Sequence, residues 1–208
     1  MIRTKTGERE KEMAEIREEL QNLEASPLIA FRRQNQYSVV TGEGSLEAEL
    51  MFVGEAPGEK EAKTGRPFVG ASGRFLSELL DSIGLKREDV YITNIVKDRP
   101  PGNRDPSQEE IDLYAPFLLR QIEIIQPKMI ATLGRFAMDF LLETFQMPQA
   151  GEKIGALHGQ ALKAQADFGE LWVVPLYHPA VALYAQEKRE VLLQDFQTLK
   201  RILTGDAG

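Results

Sequence analysis

The chain contains no cysteine and only two histidines in 208 residues. Without thiols there is no disulfide, no thiolate zinc site and no cysteine-ligated iron–sulfur cluster, and two imidazoles leave little for any other metal centre. No apolar run approaches the about eighteen residues that mark a membrane-spanning helix. The first residues, MIRTKTGEREKE, are polar from the third onward and do not resemble a secretion leader. A soluble, cytoplasmic protein without a membrane partner is expected. Walker and dinucleotide glycine signatures are missing, which removes the common nucleotide-phosphate classes. Positive charge is scarce: 25 Lys and Arg stand against 32 Asp and Glu, a net charge of −7. That balance excludes a clamp held on DNA by overall charge. Lys97, Arg99 and Arg104, close together in KDRPPGNR, still permit a local nucleic-acid contact.

What is present fits one domain over residues 1–208, with 42% hydrophobic residues for a core and residues 1–25 as an N-terminal helix packed on it. Met13, Ile16, Leu20 and Leu23 recur at helical spacing within residues 8–24. A strand is expected at Tyr37–Thr41, followed by a turn at GEGS and a short buried strand at Leu50–Val53. Helices are expected from Ser72 to Ser82, stopped by Gly84, and from Ser107 to Ile125, with Ser107 and Glu110 as a capping box. Between and after them come strands at Val90–Val96 and Met129–Leu133 and a helix at Arg135–Phe145. Residues 160–176 read as two strands joined at Asp167–Gly169, and a last amphipathic helix covers about Arg189–Leu203. This alternation predicts an α/β fold around a parallel sheet.

In open α/β sheets ligands bind beyond the carboxyl ends of the strands. Four polar segments belong there: Gly54–Gly70, Asn94–Arg104, Gly134–Arg135 and His178–Tyr184. The candidate site residues among them are Glu55, Glu61, Phe68, Asn94, Asn103 and His178. Each has a plainer reading when taken singly: a core position for Phe68, a turn residue for Asn94, a loop hydrogen-bonder for His178, and surface partners of Asp98 and Asp105 for Arg99 and Arg104. His158, outside every motif, is read as structural.

Taken together, GEAPGEKEAKTGRPFVGASGRFL, VYITNIVKDRPPGNRDP, QIEIIQPKMIATLG and VPLYHPAVAL resemble the successive motifs of family 4 uracil-DNA glycosylases over about residues 39–203. The resemblance implies a monomeric three-layer α/β/α sandwich with a central, mainly parallel four-stranded sheet. It implies an enzyme that flips uracil out of DNA and hydrolyses its glycosidic bond, leaving an abasic site, with no covalent intermediate. By position, Phe68 matches the aromatic stacked on the flipped base, Asn94 the amide that reads its edge, and Glu61 the wall that excludes a C5 methyl. His178 matches the histidine beside uracil O2, and Asn103, Glu55 and the backbone of Ala56 are the candidates for holding water. Gly58, Ser72 and Arg104 are expected to contact DNA, and Leu183 or Tyr184 to fill the gap left by the flipped base. A non-catalytic uracil- or DNA-binding protein and a glycosylase for hypoxanthine or xanthine are the alternatives.

The sequence departs from that pattern where many family members place the cysteines of a [4Fe–4S] cluster. Asp98 and Tyr114 occupy two of those positions, and the upstream pair falls near Ser26 or Ala30. No cofactor is expected. Packing of Tyr114 with Pro27, Leu28 and Phe31, together with an Asp98 pair to Arg32 or Arg33, is expected in the cluster's place. Ala62 is a further departure, standing where relatives commonly carry an acid.

Overall fold

Residues 6–205, which the computed structural model describes, alternate between helix and strand much as the periodicities predict. Helices α1 (Thr6–Gln21) and α2 (Ile29–Gln34) precede a two-residue strand β1 (Glu43–Gly44) and strand β2 (Leu50–Gly54). Next come α3 (Glu59–Thr64), α4 (Ala71–Ser82), β3 (Tyr91–Asn94), α5 (Gln108–Ile125), β4 (Met129–Leu133) and α6 (Arg135–Thr144). The chain closes with α7 (Ile154–Leu157), β5 (Leu162–Ala166), β6 (Gly169–Leu176) and α8 (Gln186–Thr204). The capping box at Ser107 and Glu110 forms, with the Glu110 N–H donating to Ser107 Oγ at 3.2 Å and the Ser107 N–H to Glu110 Oε2 at 2.9 Å.

The strands form one sheet in the order β1-β3-β2-β4-β6-β5. The four central strands are parallel, as expected, and β1 and β5 add antiparallel edges that widen the sheet to six. The strand expected at Tyr37–Thr41 is not one. That segment follows the loop after β3, with the Val40 N–H donating to the Lys97 carbonyl at 2.8 Å, and the edge strand forms at Glu43–Gly44 inside the expected turn. The helices α2, α3 and α7 escaped prediction because six or four residues are too few to show a helical period.

Alternate residues of β2 bury opposite faces of the sheet. Met51 and Val53 join a core with Ile16, Leu20, Tyr114, Leu118 and Leu141 from α1, α5 and α6. Leu50 and Phe52 join Leu76, Leu80, Phe196 and Leu199 from α4 and α8. Each large apolar side chain so buried contributes roughly 1.5–3 kcal/mol. The outcome is a sheet between two helical layers, with the carboxyl ends of β2, β3, β4 and β6 at one edge. No helix among the described residues is long and apolar enough to cross a membrane.

Candidate active site

Gly54 at the end of β2 lies opposite Asn94 at the end of β3, so the loops that follow start side by side. From β4 and β6 come Gly134, whose N–H donates to the Leu176 carbonyl at 2.9 Å, and His178. These loops enclose a cleft of about 390 Å³ lined by Glu55, Ala56, Gly58, Glu61, Phe68, Ser72, Asn94, Asn103, Arg104 and His178, with Pro57, Pro100 and Ala180. Of the expected site residues, Leu183, with its alternative Tyr184, is absent from this wall. It lies 41% exposed on the 3₁₀ turn Pro179–Leu183, beside Val181 at 37% and Tyr184 at 91%, so the turn carries unusually exposed apolar side chains next to the cleft.

Phe68 is buried and has a φ of +50°, a conformation a bulky residue holds only when its surroundings impose it. Two groups do so. Oε1 of Glu61 accepts the N–H groups of Val69 at 2.9 Å and Gly70 at 2.8 Å. The Arg87 guanidinium donates to the carbonyls of Pro67 at 2.7 Å and Phe68 at 3.1 Å. Gly73 makes room for this turn, since a β-carbon there would stand 1.7 Å from the Phe68 carbonyl oxygen. Glu61 therefore lines the cleft and also fixes the turn that presents the Phe68 ring. Arg87 gave no signal in the sequence because it lies just outside the motifs and acts on backbone carbonyls 19 and 20 residues earlier in the chain.

The His178 ring lies tilted 31° to Phe68 with centroids 5.7 Å apart. Its Nδ1 accepts the Ala180 N–H at 3.1 Å, which places the ring proton on Nε2. Burial lowers its pKa to about 4, against the opposing pull of Glu61, so the ring is a neutral donor at ordinary pH. Asn94 is 2% exposed, and its Oδ1 is a buried acceptor with no hydrogen-bond partner among the described residues. Glu55 is half-buried; burial and then the Asp105 charge raise its pKa to about 7, with Arg135 opposing. That value lets Glu55 exchange a proton near neutrality.

Asn103 has a φ of +53° in the 3₁₀ turn Pro101–Asn103. Its Oδ1 accepts from Arg99 Nε at 2.8 Å, and Arg99 also donates to the Tyr37 hydroxyl at 2.7 Å. The surface pairing of Arg99 with Asp98 and of Arg104 with Asp105 is thus replaced. Arg104 grips both oxygens of Glu110 at 2.6 and 2.8 Å, and Asp105 pairs with Arg135 at 3.0 Å. Lys97, grouped by sequence with these exposed cations, has no exposed surface at all.

Asp98 is buried and joins the N-terminal segment to α5. Arg32 donates to its two oxygens at 3.3 and 3.2 Å, and the Tyr114 hydroxyl to Oδ2 at 2.7 Å. That hydroxyl, its proton committed to Asp98, accepts from Ser26 Oγ at 2.7 Å. Ser26 in turn accepts the Leu28 N–H at 3.1 Å. Burial pushes the Asp98 carboxyl up, while Tyr114 and Arg32 pull it back. The expected pairing is made by Arg32; Arg33 binds Glu24 instead, Pro27 is exposed, and Phe31 packs edge-on against Tyr37 with centroids 5.9 Å apart. An iron–sulfur cluster needs thiolate ligands. The chain has none, and the polar atoms of Asp98 and Tyr114 already bond one another, so these residues do not fit such a group. Among the described residues no set of three or more His, Cys, Asp or Glu is placed to hold a metal ion.

A family model described as the uracil DNA glycosylase superfamily matches residues 41–200. The chain is 44% identical over 190 residues to the type-4 uracil-DNA glycosylase of Saccharolobus solfataricus, covering 91% of this chain and 85% of that one. It is 45% identical over 160 residues to the type-4 uracil-DNA glycosylase of Archaeoglobus fulgidus, covering 77% and 79%. For the type-4 enzyme of Thermotoga maritima the identity is 41% over 199 residues, covering 94% and 96%. With a match of that extent over the strands and loops that build the cleft, the chain belongs to the uracil DNA glycosylase superfamily.

Proposed function

We propose that this protein is a DNA repair enzyme that flips uracil out of DNA and hydrolyses the bond between uracil N1 and the sugar C1′. The observation that carries the reading is the buried, partnerless Oδ1 of Asn94, set beside the Phe68 ring in a cleft that also holds a neutral His178. An acceptor so placed loses more than about 1 kcal/mol unless a donor reaches it. Uracil N3–H is such a donor, and the amide nitrogen of the same side chain answers O4. Cytosine offers the reverse pattern and is refused.

The chemistry follows from the charges. As N1–C1′ breaks, its electron pair leaves with the base and the sugar becomes oxocarbenium-like. The Nε2–H of His178 donates to O2 as negative charge gathers there, and Phe68 offsets part of the stacking lost when the base leaves the helix. Water supplies the oxygen that bonds to C1′. Glu55, in its ionised form, orients that water and takes its proton, and Asn103 and the Ala56 backbone complete its surroundings. Glu61 holds the shelf and walls off a C5 methyl.

DNA is met by the half-buried turn at Gly58, by Ser72 in the first turn of α4 and by Arg104, with Leu183 entering the gap in the stack. The protein acts as a single-domain monomer in the cytoplasm and without an iron–sulfur cluster. The Ser26–Tyr114–Asp98–Arg32 network ties the start of the Asn103 loop to the N-terminal segment in the cluster's stead. The test is incubation with single-stranded and double-stranded oligonucleotides bearing one uracil, followed by alkaline cleavage at abasic sites. Incision that persists in metal-free, chelator-treated protein is expected. No incision at low salt overturns the enzyme reading, and loss of incision on chelation overturns the cluster-free one.

A further inference from the structure

Lys97 is fully buried, and no ion pair among the described residues includes it. Its Nζ donates to Thr93 Oγ1 at 2.7 Å, to the backbone carbonyl of Asn94 at 2.6 Å and to Gln121 Oε1 at 2.7 Å. The Thr93 hydroxyl proton goes to the Thr41 carbonyl at 2.8 Å. The Gln121 amide nitrogen donates to the same carbonyl at 2.9 Å and to the Tyr91 hydroxyl at 3.3 Å. All three partners therefore present lone pairs to the lysine. An ammonium has one proton for each; a neutral amine would turn its own lone pair on the third. Burial alone drives the pKa of Lys97 well down, and this cage of acceptors works against it in favour of the charged form.

The carbonyl that Lys97 caps belongs to Asn94, a residue that lines the cleft and whose Oδ1 is buried without a partner. A positive charge thus stands directly behind the base-reading floor, with no carboxylate paired to cancel it and little solvent to screen it. Resting on the uracil-excision reading, the base departs carrying negative charge. A cation already fixed in place stabilises that charge without reorganisation at the moment of bond breaking. We propose that Lys97 is a positioning residue for Asn94 whose buried ammonium also stabilises the negative charge that develops on the departing base.

A purely structural lysine, needed to cap the end of β3, would slow every substrate alike when removed. An electrostatic one would matter less for a better leaving group. Single-turnover excision of uracil and of 5-fluorouracil from matched oligonucleotides separates the two, because fluorine withdraws electrons and eases departure of the anion. Lys97→Met is expected to slow uracil excision by about 100-fold or more, in the range seen when a charge-stabilising donor is removed. The 5-fluorouracil reaction is expected to slow by much less, so that the ratio of the two rates rises about tenfold. Gln121→Glu places a carboxylate against the ammonium while keeping an acceptor for it. It is expected to raise the same ratio, and it carries the test if circular dichroism shows Lys97→Met unfolded. Equal slowing of both substrates, or no slowing, in the folded variants overturns the proposal and leaves the uracil-excision reading intact. Wild-type protein that excises neither base overturns both.

Discussion

Oδ1 of Asn94 and the ring edge of Phe68 converge on the α-carbon of Gly54, where a β-carbon would stand 2.4 Å from the first and 2.8 Å from the second. The Asn94 amide and the Phe68 ring are in register because Gly54 has no side chain to hold them apart. Gly54→Ala is expected to push one or both aside while leaving the strand pairing of β2 intact. A displacement of about 1 Å at a reacting centre costs on the order of 100-fold in rate. Single-turnover excision should fall by that order with a melting temperature close to wild type; an unchanged rate would separate Gly54 from the site.

On the proposed reading, His178→Ala removes the donor to O2. Because that hydrogen bond strengthens as the anion forms, the loss belongs to turnover more than to binding, with kcat lower by roughly 100-fold to 1,000-fold. Affinity for a uncleavable uracil-containing duplex should change little. A variant that turns over normally takes His178 out of the mechanism.

Glu55 is expected to set the pH profile. Its pKa is raised to about 7, so the rate should climb through neutrality as the carboxylate ionises, while His178, at about 4, remains neutral throughout. Stability moves the opposite way. Between an unfolded value near 4.5 and a folded value of about 7 the folded protein holds a proton that the unfolded chain has released, so this group's contribution to stability declines as pH rises across that window. Glu55→Gln should flatten the rate profile, slow excision, and raise the melting temperature at about pH 8 relative to wild type, the difference vanishing below pH 4.5. Rate profiles and thermal melts of the two proteins check both halves. A wild-type profile flat from about pH 6 to pH 8 removes Glu55 as the base.

The sequence showed the residues that line the cleft better than it showed what supports them. Gly54–Gly70, Asn94–Arg104 and His178 stood out because polar and glycine-rich residues cluster after apolar strands, a local signal. Arg87, Tyr37 and Gln121 gave no such signal: each acts across a sequence separation that spacing rules do not reach, on Phe68, Arg99 and Lys97 in turn. Lys97 misled for a related reason. Charge next to Asp98 and Arg99 reads as surface, and only the packing of β3 against α5 makes it core. The strand expected at Tyr37–Thr41 failed because its backbone groups bond to a loop carbonyl and a threonine hydroxyl rather than to a strand.

Tyr114→Phe deletes one hydroxyl and leaves both Asp98 and Ser26 a bond short, an expected loss of about 1–3 kcal/mol. Asp98→Ala leaves the Arg32 guanidinium buried without its carboxylate, expected to cost about 3–5 kcal/mol. If the network positions the Asn103 loop, excision should also fall in Tyr114→Phe at temperatures where it is fully folded. Denaturant unfolding together with single-turnover rates reads the two effects separately.

Asn94→Asp inverts the hydrogen-bond pattern at the floor of the cleft. The amide offers a donor to uracil O4 and an acceptor to N3–H, whereas an ionised carboxylate offers acceptors alone and sets one of them against O4. Where the carboxylate is ionised, uracil excision should fall by several orders of magnitude, because the site then holds an unpaired acceptor and a repulsion at once. At a position only 2% exposed, burial favours the protonated acid. A protonated aspartic acid donates to cytosine N3 and accepts from N4–H, the complement of cytosine. Slow release of cytosine from ordinary DNA is therefore expected, strongest at mildly acid pH where the acid is protonated and fading as it ionises. Abasic-site formation on matched uracil and cytosine oligonucleotides measures both changes, and uracil excision at the wild-type rate would show that another group reads the base.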